Sequence, residues 1–184
     1  AYQNNFNIKN LKKTFTSKLE VLELLNFKDK NKKSIVLTET YRDNLIVGLE
    51  LLENDFKKDM NFYLMLICSG LSTTRQVLSL NDIYMDTYVK FQIMEEKINK
   101  MESFAGVKKT TSIEIGWFSI FNEYLHSEDI ESVLTKFNIS IGDFIRAGKE
   151  AAELSTKLFN IYKLKEFKII SDMFNNELIQ KTMR

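Results

Sequence analysis

Asn138-Ile139-Ser140-Ile141-Gly142-Asp143-Phe144-Ile145-Arg146-Ala147-Gly148-Lys149-Glu150-Ala151-Ala152-Glu153-Leu154-Ser155-Thr156-Lys157-Leu158 is the stretch on which the reading of the fold turns. Asn138, Ile139 and Ser140 introduce a helix expected to run from about Ile141 to Tyr162. Gly142 permits a close approach or an unusual φ at the helix start. Asp143 is a residue that can cap orphan backbone N–H groups there. Phe144 and Ile145 are expected to bury. Arg146, one turn in, suits either a carboxylate or a phosphate as its partner.

Working outward, the pattern stays helical on both sides. A last helix is expected from Leu164 to about Thr182. Upstream, Ser127-Glu128-Asp129 reads as an N-cap with acidic first-turn residues, which complement the helix dipole of a short helix, Ile130–Phe137. Before it comes a helix over Ile113–Leu125 with the only tryptophan, Trp117. Trp117, Phe121 and Tyr124 fall at i, i+4 and i+7, which is core spacing. Ser103–Thr111 breaks the periodicity, contains Gly106 and reads as a connection. Helices are expected over Asn81–Met101, with Asn81-Asp82 as its N-cap, and over Ser72–Leu78. Phe62–Cys68 is apolar throughout and reads as a fully buried helix.

Nearer the N-terminus, Leu11, Phe15, Leu19, Leu22 and Leu25 put one apolar face on a helix over 11–27. The Lys-rich turn of residues 28–33 follows, then the short β-branched run Ser34–Thr38, then helical periodicity from Glu39 through Tyr41, Leu45, Leu49 and Leu52. Helix, basic turn, short strand and helix suggest a winged-helix-like unit over 1–55. The expected fold class is therefore mostly α, with a helical bundle over 56–184. The absence of proline and only 6 glycines in 184 residues are permissive for so many helices.

Composition narrows the function classes. Hydrophobic residues make up 44%, enough for a buried core, and 26 basic against 25 acidic residues leave a net charge of +1. No single electrostatic partner is implied for the whole chain, although local basic patches are compatible with that total. One cysteine, Cys68, precludes an internal disulfide and suits a cytoplasmic or other reducing compartment. Its apolar neighbours make it a small buried hydrophobe. No apolar run approaches the roughly 20 residues that span a bilayer. The chain begins with Ala1 and is read as a piece of a longer protein or one processed at its start.

Catalytic signatures are missing from the sequence. Gly142 to Gly148-Lys149 has five intervening residues where a phosphate loop has four, and Glu150 stands where Ser or Thr would hold magnesium. One His and one Cys cannot supply the usual four zinc ligands. His126, Ser127 and Glu128 are sequence neighbours, and adjacent helical residues point apart, so a triad is poorly served. Glu95-Glu96 and Glu128-Asp129 read as solvated faces or caps.

The segment from Tyr124 to Leu158 resembles the C-terminal helical domain, DSHCT, of the DExH-box RNA helicases that feed RNA to exonucleolytic decay. That family has an aromatic residue near a glycine turn, an apolar pair, then Gly-Asp-Phe-Val-Arg opening a helix that continues to Asp-Leu-Leu-x-Gln-Ile. Gly142-Asp143-Phe144-Ile145-Arg146 matches the central motif, and Glu153, Leu154 and Leu158 fall in register without a gap. Ile130, Val133 and Leu134 occupy its apolar positions. Tyr124 stands where Trp is common, Ser127 replaces the turn glycine, Ala147 takes an often aromatic position, and Lys157 replaces Gln. Upstream, Val21–Phe27 and then Ile35–Thr38 resemble the winged-helix unit that leads into the same domain.

The resemblance implies an accessory domain of an ATP-dependent RNA helicase. ATP and magnesium would bind a helicase core upstream, and no cofactor is expected in this chain. RNA and that core would be the partners, with no membrane involved. Arg146 and Lys149, one turn apart, would present a small basic edge to phosphates, and Lys157 is the third candidate RNA contact. Gly142, Asp143, Phe144 and Tyr124 would form the structural motif. A different class of function also fits the composition: a helical protein-interaction module with no nucleic-acid role, using Phe, Leu and Met to line a groove.

Overall fold

A computed structural model describes residues 9–13, 16–21, 58–71, 84–107, 116–127 and 129–178. The described residues are mostly helical, and none of them is in a strand. The Lys-rich turn, the strand expected at Ser34–Thr38, the helix expected from Glu39 and that over Ser72–Leu78 lie outside the described residues. Backbone contacts divide the chain into two units, Ala1–Asp55 with Tyr88–Ser112, and Phe56–Thr87 with Ile113–Arg184. The sequence pattern alone suggests a division between residues 55 and 56 and a candidate boundary at the connection Ser103–Thr111, which ends beside the observed boundary at Ser112.

In the first unit, residues 9–13 and 16–21 are helical, and Val21 is fully buried. Most of the helix Met85–Phe104 belongs to this unit; in the numbering used below it is α2. Its buried face is Phe91, Met94, Ile98 and Glu102, recurring every three or four residues. Val89 and Ile93 lie on the other side and are exposed. The helix ends at Gly106, whose φ of +73° is the left-handed conformation that glycine adopts without a side-chain penalty. There the Val107 N–H reaches the Glu102 carbonyl at 2.7 Å and the Gly106 N–H the Ser103 carbonyl at 3.2 Å. Part of the connection expected at Ser103–Thr111 is thus the last turn and cap of α2.

The second unit holds α1 (Met60–Ser69), α3 (Gly116–Ser127), α4 (Ile130–Phe137), α5 (Ile141–Tyr162) and α6 (Lys165–Asp172). A π-helical turn, Met173–Leu178, continues α6. The remainder of the last helix, expected to reach Thr182, lies outside the described residues, which end at 178. α1 packs on α3, α5 and α6 together, so every residue from Phe62 to Ser69 is buried. This is the physical reason for its unbroken apolar sequence: a helix covered on several sides has no polar face to present. Its ends are satisfied locally. Asp59 Oδ1 accepts the Phe62 N–H at 2.9 Å, and the buried Ser69 hydroxyl donates to the Leu66 carbonyl at 2.6 Å.

Two aromatic clusters organise this unit. In one, Phe121 of α3 stacks on Trp117 at 5.4 Å, meets Phe144 of α5 at 5.5 Å and meets Phe174 of the π turn edge-on at 4.7 Å. Tyr124 adds an edge-to-face contact with Phe144 at 5.3 Å. Trp117, Phe121 and Tyr124 are all buried, as their helical spacing predicts. In the other cluster, Phe167 of α6 meets Tyr63 of α1 at 5.3 Å and Tyr162 of α5 at 6.5 Å. Such offset and edge-on pairs contribute about 0.5–1.5 kcal/mol each beyond burial.

Among the described helices of this unit, α5 and α6 form the most extensive pair. The buried face of α5 includes the short side chains Ala147, Gly148, Ala151, Ala152 and Ser155, which permit close backbone approach. Ser155 donates to the Ala151 carbonyl at 2.7 Å, and the hydroxyls of Thr156 and Ser171 meet at 2.7 Å across the helix pair. Lys163 turns the chain between the two helices with φ of +56°, a conformation disfavoured for any residue with a Cβ.

Two outcomes are expected for stability. Phe121→Ala removes the ring shared by α3, α5 and the π turn and lowers unfolding free energy by about 3–5 kcal/mol, read from urea titration of the chain. Lys163→Gly relieves the left-handed strain and raises stability by up to about 1 kcal/mol in the same assay. The gain is offset in part by loss of the Lys163 ammonium from above the Phe159 ring.

Candidate functional site

The site singled out by sequence begins at the turn between α4 and α5. α4 starts at Asp129, whose Oδ1 accepts the Glu131 N–H at 3.1 Å and whose Oδ2 accepts from the Ser132 hydroxyl. The Ser132 hydroxyl, followed by the backbone N–H groups of Ser132 and Glu131, holds the Asp129 carboxyl below the usual carboxylate range. The N-cap is therefore Asp129 alone, while Ser127 is the last residue of α3. At the other end of α4, Asn138 adopts a left-handed φ of +50°. Asparagine tolerates this conformation better than most residues. The Ile139 N–H then reaches the Leu134 carbonyl at 3.0 Å, closing the helix and aiming the chain into α5.

α5 opens on Ser140, not on Asp143. The Ser140 backbone is extended (φ −72°, ψ 148°) and its Oγ accepts the Asp143 N–H at 3.1 Å. Asp143 lies within the first turn, where its negative charge complements the helix dipole. Gly142 does not meet the expectation of an unusual conformation. It has no positive φ, and a Cβ built there would touch only the Ser140 Oγ, at an ordinary 3.9 Å. Phe144 is fully buried, whereas Ile145 is only half-buried. Ala147 is buried.

Arg146 makes the carboxylate contact that its position allows. Its Nη2 lies 3.2 Å from Asp143 Oδ1, with the two side chains 64% and 58% exposed. A pair this exposed contributes about 0–1 kcal/mol, and a competing anion can displace it at small cost. Lys149 and Lys157 are exposed on the same side of α5 as Arg146, since their spacings are three and eleven residues. Glu150 and Glu153 are interleaved with them. Gly142, Ile145, Arg146, Lys149, Glu150 and Glu153 line one shallow, open depression. The stripe thus sets three cations, Arg146, Lys149 and Lys157, among three carboxylates, Asp143, Glu150 and Glu153. Sequence reading picks out the basic members. The acidic ones are legible in the same three- and four-residue spacing once both signs are placed on one helix.

Tyr124, the fourth motif residue, is buried beneath the start of α5 and supports Phe144. Lys136 of α4 pairs with Glu123 of α3 at 3.0 Å and ties the short helix down beside it.

The His126 Nδ1–H donates to the Asn122 carbonyl at 2.6 Å, which occupies the ring nitrogen nearest the backbone. Cys68 is fully buried, and burial pushes its thiol far above the ordinary range. Among the described residues, no group of three or more His, Cys, Asp or Glu side chains converges on a metal position. Among them, too, no helix is long and apolar enough to cross a membrane.

Comparison with known proteins returns no matching family model, no matching curated protein and no matching solved structure.

The geometry separates the roles of neighbouring residues in the motif. Ser140→Ala removes the cap and is expected to cost about 1 kcal/mol of stability. Gly142→Ala is expected to cost nothing and to stabilise by up to about 1 kcal/mol, because alanine favours the helix and meets no obstruction. Thermal unfolding of the two variants beside the parent chain checks both. For Cys68, a disulfide-exchange reagent at pH 8 is expected to leave the native thiol unmodified and to titrate one thiol after unfolding in urea.

Proposed function

We propose that this chain is a C-terminal accessory domain of an ATP-dependent RNA helicase, resembling the DSHCT domain, which packs on the helicase core and helps guide single-stranded RNA. ATP and magnesium bind that core and not this chain. Residues 1–55 form the winged-helix-like unit leading into the helical region, and the protein works in a cytoplasmic or other reducing compartment. The observation that carries the reading is the Gly142–Arg146 motif, which begins a long helix just after a short one. Phe144, Leu154 and Leu158, at the apolar positions of the resemblance, are buried along that helix. Arg146, Lys149 and Lys157 on its exposed side are the RNA contacts, and Asp143 is the local anion that RNA phosphate displaces from Arg146.

The alternation of charge along that same stripe favours a second reading, a helical protein-interaction module. Three carboxylates among three cations offer less to a phosphate backbone than a purely basic track. They suit a partner surface that itself carries both signs.

Binding of single-stranded RNA to the intact polypeptide containing this chain, measured across a salt series, separates the two. On the helicase reading, Arg146→Ala with Lys149→Ala weakens binding and flattens the dependence of log affinity on log salt by about 0.7 for each phosphate that is no longer neutralised. An unchanged affinity and an unchanged salt slope would sink the RNA role of these residues and leave the interaction module as the reading.

A further inference from the structure

We draw no further inference here: the strongest candidate, the exposed apolar patch of Val89, Ile93 and Phe104 on α2, is a helix face for which nothing in the structure shows what covers it.

Discussion

Phe121 stands where α3, α5 and the π turn after α6 meet, and its ring touches one aromatic side chain from each. The start of α5 is positioned through this ring. Phe144 enters between Phe121 and Tyr124, so the rotation of α5 about its own axis follows from which side of the helix must carry Phe144 inward. With Phe144 inward, Ala147, Ala151 and Leu158 face the core and Arg146, Lys149 and Glu153 face solvent. The exposed stripe is thus a consequence of aromatic packing on the opposite side.

A second constraint acts on length. α4 and α5 are separated by only Asn138, Ile139 and Ser140. Each of these has a distinct task in a very short space. Asn138 takes the left-handed turn, Ile139 supplies the N–H that closes the helix before it, and Ser140 supplies the oxygen that opens the helix after it. A connection this short leaves little freedom in the angle between the two helices. The Lys136–Glu123 pair adds a weak restraint from the side of α3.

Much of the second unit is legible in the sequence because its signals are local. The boundaries of α4 and α5 follow from capping residues and the break at Asn138, and they match residue for residue. The burial of Phe62–Cys68 and of Trp117, Phe121 and Tyr124 follows from apolar runs and helical spacing. Finer assignments depend on backbone angles that residue types leave open. Ser140 and Asp143 can each cap a helix, and only the extended φ and ψ at Ser140 decide between them. Gly142 suggests a special backbone conformation, yet the helix there is ordinary. For Arg146 the residue types allow a carboxylate or a phosphate, and Asp143 one turn away is the partner seen within the chain. The end of Tyr88–Ser112 falls beside the break in periodicity at Ser103–Thr111, but its start at Tyr88, inside a continuous helix, and its return to the N-terminal unit are long-range properties with no local signature.

The burial of α1 has a consequence for biosynthesis. Its segment of the chain is made before α3, α5 and α6, the helices that cover it, and Tyr88–Ser112, which belongs to the other unit, is made in between. From emergence until those helices arrive, Phe62, Leu64, Leu66 and Ile67 have no completed native surface to rest against. The second unit therefore cannot assemble progressively from its N-terminal end. Its folding waits on α5 and α6, and in that interval the apolar side chains of α1 are open to a chaperone.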